Sequence, residues 1–422
     1  MKNKIRTSLR VSFLDGTFYS VMFGLGDAYF APFALALKAT NFQIGLLTSL
    51  PGLAAALFQL QSPALTEKMG RRRFILIGVF AQAVLFLPII LVPHLCAVNP
   101  LPWLIAAVTA YTVCNAAVAP AWGSIMGQYL PHNKRGKYFS WRQKVLGIIT
   151  LAATAAGGYT LYVFPRESIT GFGVLFTAAM IARFISWGYI RKMYEPRLTP
   201  QTGATFSFWD FVSRARQSNF AKFVFFTGFI AFAVNLSSPF FSVYMLRDLH
   251  FNYLTFVAVM VTPNIALLAS LSAWGTYTDK AGCIRVIQFT SLILPIVPVL
   301  WLFSSAVWYL VLIQIVAGFA WGGFNLAVSN FIFDAVSEEK RVRCIAYFNL
   351  VNGLGIFFGA ALGGLLVGRL PPILGNSILS IFLLSGILRL LVRSIFLRKI
   401  KEVKAVPSVS NLELFYKVIG ID

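Results

Sequence analysis

Long apolar stretches dominate this chain, and they leave few folds open to it. Twelve are read, near 13–37, 43–64, 74–95, 101–126, 145–164, 172–190, 220–245, 253–275, 285–304, 306–332, 344–368 and 374–397. Each is long enough to cross about 30 Å of hydrocarbon at about 1.5 Å per residue. Lipid offers no partners to an open strand edge, so crossing segments are helices or parts of a closed barrel. The short alternating segments of a barrel are absent. Composition agrees: 58% of residues are hydrophobic and 12% charged, where a soluble domain carries about 25% charged residues. The expectation is an all-α integral membrane protein with twelve transmembrane helices.

A formal net charge of +22 would suit nucleic-acid binding if the basic residues shared one soluble face. They do not. Of 36 Lys and Arg, 29 fall in the N-terminus, the C-terminal tail and the loops after even-numbered spans. Lys38, Arg166, Arg247 and Arg369 fall on the other side, and Arg183, Arg389 and Arg393 within spans. That asymmetry follows the positive-inside rule and predicts cytoplasmic termini. The basic excess then meets anionic lipid headgroups, and no nucleic acid is expected as a partner. The basic start leads into an apolar run too long for a cleavable signal. Cys96, Cys114, Cys283 and Cys344, like the three His, are too scattered for a metal site or a disulfide framework. No phosphate-binding loop, nucleophile elbow or zinc motif is present, so neither an enzyme nor a cofactor is expected.

A short polar turn occurs twice between apolar segments. The first copy reads Pro63-Ala-Leu-Thr-Glu67-Lys68-Met-Gly70-Arg71-Arg72-Arg73, and the second Gly275-Thr-Tyr-Thr-Asp279-Lys280-Ala-Gly282-Cys-Ile-Arg285. Acid, base and glycine recur 212 residues apart, and the same offset carries Pro51 onto Pro263. At an offset of 206, the basic run 134–137 matches 340–343, Gly147 matches Gly353, and Arg183 matches Arg389. Two copies of one unit are therefore expected, a mark of transporter folds. The halves run over 1–193 and 219–397, joined by a cytoplasmic linker 194–218 and followed by a tail 398–422. Amphipathic runs at 206–216 and 412–419 predict short interfacial helices.

Twelve spans in two sixes, with this turn after spans two and eight, resemble the major facilitator superfamily. Its turn reads G-x-L-x-D-R-x-G-R-R. Leu65, Gly70, Arg71 and Arg72 match in the first copy, and Gly275, Asp279, Lys280 and Gly282 in the second; Glu67 and Lys68 are conservative replacements, and Pro63 departs from the pattern. The resemblance implies two pseudo-symmetric six-helix bundles that rock about a central site. It also implies a cytoplasmic gate in which Glu67, Lys68, Gly70, Arg71 and Arg72 face Asp279, Lys280, Gly282 and Arg285, with Asp334 as a further partner. The plainer alternative makes the arginines topological anchors.

Asp27 is the sharpest single residue, a lone carboxylate about 14 residues into span one, just after Gly24 and Gly26. Such a group is costly unless it faces a cavity, finds a partner or takes a proton, and it marks a site for protons or a cationic substrate. Asp15 reads as a helix-end residue. Arg183 lies close enough to the end of span six to snorkel outward, and Arg389 sits alike.

The resemblance places spans one, four, seven and ten around the cavity. Tyr29, Asn115, Trp122, Asn235, Gln314, Trp321 and Asn325 are candidates there, with Asn264 from span eight. The alternative for each is an interhelical hydrogen bond, worth about 0.6–2 kcal/mol. Gly355, Gly359 and Gly363, spaced four apart in span eleven, read as a packing face. Pro32, Pro51, Pro120, Pro239 and Pro263 are expected to kink their helices. Drug–proton antiporters of the family often carry an intramembrane Arg in span four and Gly-Pro in span five. Neither occurs here, at Tyr111–Ala117 or Ala152–Gly158.

The expected function is alternating-access transport of a small amphipathic organic solute, as proton-coupled efflux through Asp27. Uptake by symport or facilitation is the second transport reading, and a non-transporting sensor or scaffold on the same fold is the rival from another class. The expected partners are a small-molecule substrate, protons and membrane lipid. The expected setting is a monomer in a bacterial cytoplasmic (inner) membrane.

Overall fold

A computed structural model of the chain describes residues 2–59, 61–96, 98–129, 132–164, 169–195, 218–336 and 338–403. The interfacial helices expected within 206–216 and 412–419 lie outside the described residues. The described residues are almost entirely helical; among them there is no β-strand, only an isolated bridge between Ile373 and Asn376.

Eleven helical segments among the described residues are long and apolar enough to cross a membrane. They are Asn41–Gln59, Arg71–Leu95, Pro100–Met126, Trp141–Val163, Ile169–Ile190, Asn219–Asp248, Tyr253–Thr278, Cys283–Leu300, Val307–Ala335, Cys344–Leu366 and Ser377–Lys399. They correspond to spans two to twelve. Span one differs for a physical reason. It consists of two helices, Lys2–Leu25 and Phe30–Ala36, joined by a 3-10 turn over Asp27–Tyr29. The break and the charged residues on its longer piece set it apart from the eleven.

Chain contacts divide the molecule into one unit of Met1–Pro200 with Ser242–Val257 and another of Gln201–Phe241 with Ala258–Asp422. In the first, span one packs on spans five and six, and span three on spans four and six. In the second, span seven packs on spans eleven and twelve, and span nine on spans ten and twelve. The same pairing thus recurs at the sequence offsets. Within each unit the apolar clusters use equivalent positions: Val11, Ile75, Val118 and Ile125 in the first, Phe223, Ile287, Phe324 and Phe331 in the second. Close contact, more than expulsion from water, holds such helices together where lipid is as apolar as leucine.

The glycines of span eleven are built into that contact. A Cβ at Gly355, Gly359 or Gly363 would lie 2.3, 2.3 and 2.2 Å from the carbonyl oxygens of Gly228, Phe232 and Leu236 on span seven. In the first unit the matching approach is made by Gly24, whose Cβ would lie 2.6 Å from the Thr150 carbonyl oxygen and 2.7 Å from the Ala153 Cβ.

The prolines divide into two groups. Pro51, Pro120 and Pro263 lie inside continuous helices. Pro32 and Pro239 follow true breaks, after the Asp27–Tyr29 turn and after the helix Asn219–Asn235. Spans one and seven are therefore interrupted at corresponding depths.

Candidate functional site

Asp27 opens the turn that breaks span one. It is half-buried, and its Oδ2 accepts a hydrogen bond from the Tyr111 hydroxyl on span four at 2.7 Å. The bonded partner is a neutral hydroxyl. Tyr111 meets the rings of Phe30 and Phe86 edge-on at 5.4 and 5.1 Å, and Phe176 joins them 5.7 Å from Phe30. The carboxyl thus lies at the edge of an aromatic cluster. Sequence reasoning finds Asp27 but not Phe30, Phe86 or Phe176, which look like ordinary apolar span residues. Tyr29, two positions on, is fully buried; its hydroxyl donates to the Thr154 carbonyl, and its ring lies against Gly157.

Toward the end of the unit that carries the basic turn lies a second polar cluster. Asn115 donates to the Tyr19 hydroxyl at 3.1 Å. The Arg183 guanidinium stacks 5.0 Å from the Tyr19 ring centroid. Its Nε donates to Gln82 Oε1 at 2.7 Å, and its Nη1 to Ser186 Oγ at 3.0 Å. Ser186 in turn donates to Asp15 Oδ1 at 2.7 Å. Arg142 donates to the Ser12 carbonyl at 3.0 Å and stacks 4.7 Å from the Trp122 ring.

Two expectations are corrected here. Arg183 does not snorkel: it is 3% exposed, because Gln82 and Ser186 satisfy it inside the unit. Asp15 is no helix-end residue: it is 5% exposed in the middle of Lys2–Leu25. Arg389, the counterpart of Arg183, is also buried, so the likeness of the two sites holds while their outward pointing does not.

The candidates of the second unit stay apart. Asn235 donates to the Ala231 carbonyl of its own helix at 2.9 Å, just before the break in span seven. Asn264 is exposed and donates to the Met260 carbonyl one turn back at 3.3 Å. Gln314 and Trp321 are half-buried, Trp321 edge-on to Phe324 at 5.5 Å, and Asn325 is exposed. A hollow of about 670 Å³ opens in the first unit between Ile90 and His94 of span three and Thr177 and Ile181 of span six. None of the sequence candidates lines it.

The repeated turn has a common construction. Gly70 and Gly282 adopt φ of 82° and 85°, the left-handed region that favours glycine, and each starts the next helix. Arg71 is 1% exposed. Its Nη1 donates to Ser124 at 3.0 Å and Gln128 at 3.1 Å on the helix of span four, so it is more than a topological anchor. Glu195 Oε1 accepts from the Arg71 backbone N–H at 3.1 Å and lies 3.7 Å from Arg71 Nε. In the second copy Glu402 Oε2 accepts from the Ile284 backbone N–H at 2.7 Å. A carboxylate on the free N–H groups of a helix start is favoured by both hydrogen bonding and the helix dipole.

Neither glutamate stands out in the sequence, although they lie 207 residues apart, each shortly after the sixth span of its half. Arg72 donates to the Arg191 carbonyl, and Lys68 and Lys280 are exposed. Arg285 donates to Gln288 on its own helix at 3.4 Å, and Asp334 accepts from the Cys283 thiol at 3.7 Å. The side chains of Glu67 and Asp279 lie outside the described residues.

The profile of the Major Facilitator Superfamily matches residues 16–294 and 223–413. No curated protein matches the sequence. Among solved structures, a mutant form of the nucleoside transporter NupG is similar at a TM-score of 0.73 and 15% identity, covering 95% of this chain and 100% of that one. A bacterial homologue of the iron transporter ferroportin, inward-facing, is similar at 0.70 and 12%, covering 94% and 98%. A bacterial homologue of the human lysosomal transporter Spinster, inward-facing and unoccupied, is similar at 0.62 and 15%, covering 96% and 100%. At these identities the likeness is one of fold.

Proposed function

Since the chain belongs to the major facilitator superfamily and is a membrane transporter by family and fold, we propose that it moves a small amphipathic organic solute, exported in exchange for protons that bind Asp27. The observation that carries this reading is the Asp27 carboxyl at a helix break, bonded by the neutral Tyr111 hydroxyl beside Phe30 and Phe86. A carboxyl inside a membrane span that holds no bonded cation is suited to take up and release a proton. Its aromatic surroundings suit a solute with an apolar body. Sugars and phosphates want a denser set of polar and basic groups than this site offers.

The substrates named for the structural relatives do not transfer readily. Iron is named for a protein only 12% identical to this chain, a likeness of fold that carries no cargo over. The proposed setting is a bacterial inner membrane with both termini cytoplasmic, a reading supported by the basic loops. The repeated turn is proposed to act at that cytoplasmic face as a gate.

Substrate-dependent proton flux in proteoliposomes, screened over a chemical library, tests the reading. Amphipathic compounds should dissipate an imposed pH gradient in a protein-dependent way. Flux driven by sugars or phosphate esters alone, or transport without proton movement, would contradict it.

A further inference from the structure

We propose that Asp15 is a second proton-exchanging carboxyl of this transporter, positioned by Ser186 and Arg183. It would serve the end of the first unit that carries the basic turn. The inference rests on the reading of Asp27 as the first such group and extends it by one residue.

Three observations meet at Asp15. The first is that its carboxyl is 5% exposed within a membrane-spanning unit, where a permanently ionised group is expensive. Second, Asp15 forms no direct ion pair among the described residues. Ser186 stands between it and Arg183, donating to the carboxylate at 2.7 Å while accepting from Arg183 at 3.0 Å. Third, the second repeat keeps the arginine and dispenses with the acid. Arg389 is as buried as Arg183, and is bonded by Ser385 at 3.1 Å, Ser237 at 3.1 Å and the Leu294 carbonyl at 2.9 Å. Thr227 occupies the position 212 residues after Asp15. A buried arginine at this place therefore has no need of a carboxylate. The acid of the first repeat calls for a reason of its own.

The chemistry of the exchange is simple. The carboxylate takes a proton from water at that end of the unit and becomes neutral. The new O–H turns to donate to Ser186, whose oxygen has a second lone pair beside the one held by Arg183. Among the described residues, the charged and titratable groups around Asp15 are Arg183 on span six, Arg142 on span five and Tyr19 one turn along span one, with the Trp122 indole on span four close by. Asp15 and Asp27 are twelve residues apart on span one, about 18 Å at helical rise. Tyr19 and Asn115 lie between them, hydrogen-bonded to each other. Two exchanging carboxyls on one span would thus open toward different depths of the membrane.

Infrared difference spectroscopy on the purified, lipid-reconstituted protein tests this without any substrate. The protonated-carboxyl region is recorded through a pH titration. The parent should show two titrating buried carboxyl bands. Asp15→Asn should remove one and Asp27→Asn the other, while Asp15→Glu should keep a titrating band at a shifted frequency. Ser186→Ala leaves both carboxyls in place and should move only the Asp15 band, so the idea stays testable if Asp15→Asn fails to fold. An Asp15→Asn spectrum with every parental band intact would show a permanently ionised structural partner and overturn the proposal. A Ser186→Ala spectrum identical to the parent would overturn the positioning role. Loss of the Asp27 reading has its own signature, an unchanged spectrum in Asp27→Asn alone.

Discussion

The two repeats bury an arginine at the same place and satisfy it differently. In the second, Arg389 donates to Ser385, Ser237 and the Leu294 carbonyl, with the Val234 carbonyl 3.5 Å away. Ser237 and the Val234 carbonyl lie at the interruption of span seven between Asn235 and Ser238, and the Leu294 carbonyl ends the helix Cys283–Ile293 of span nine, so the arginine satisfies groups left open at helix ends. In the first, Arg183 leaves the break of span one alone and binds Gln82 and Ser186, which holds Asp15. The break it leaves is the one occupied by Asp27. One repeat thus uses its charge to mend the backbone. The other keeps two carboxylates and an interruption open to chemistry. On this account the duplicated scaffold has divided its labour, with the second unit structural and the first titratable.

That division predicts unequal damage. Arg183→Met takes the donor from Gln82 and Ser186 and the nearby positive charge from Asp15, and at a pH where Asp15 is ionised it should cost about 3–5 kcal/mol, the range for a buried charge left uncompensated. Part of that should return in the double variant with Asp15→Asn. Arg389→Met leaves carbonyl and hydroxyl acceptors without a donor and should cost about 1–3 kcal/mol. Among the described residues no acid lies beside it whose removal would restore it. Thermal unfolding of the four proteins in one detergent compares them; equal losses without rescue would break the comparison.

Packing sharpens it at the next level. Gly359→Ala would drive a methyl group against the Phe232 carbonyl, 2.3 Å from an ideal Cβ, at a cost of about 1–3 kcal/mol. The equivalent position of the first repeat is Ala153, 206 residues earlier, which already carries that methyl. Ala153→Gly should cost about 0.5–1 kcal/mol through helix propensity. Unfolding temperatures in the opposite order would mean that the two contacts are not alike.

The smallest expected effect is where the repeats agree. Glu195→Gln and Glu402→Gln each weaken a carboxylate cap on a helix start, worth about 0.5–2 kcal/mol. Hydrogen exchange at the first turns after Gly70 and Gly282 should quicken in the respective variant. No change in either turn would remove the caps from the account.

Much of this fold is legible in the sequence, because lipid forces apolar runs of sufficient length into helices and the duplicated turn fixes the offsets. Spans two to twelve are bounded closely for that reason. Asp27 is legible because a charge inside an apolar run stands out. The inward course of Arg183 is not, since its partners Gln82 and Ser186 are unremarkable polar residues 101 and 3 positions away. Asp15 is misleading for the same reason: distance to the span end says nothing about what lies across from a side chain. The glutamates that cap the repeated turn escape notice because the contact joins segments 124 and 118 residues apart.

The most direct test of the central claim is gradient-driven accumulation by Asp27→Asn in proteoliposomes, using a substrate returned by the library screen. The side chain stays isosteric but neutral. The account predicts that an imposed proton gradient no longer concentrates the substrate, with at least a tenfold loss of accumulation. Exchange of labelled for unlabelled substrate should continue near the parental rate. An Asn variant that still concentrates substrate as well as the parent would make Asp27 structural and contradict the assignment of coupling to the first repeat.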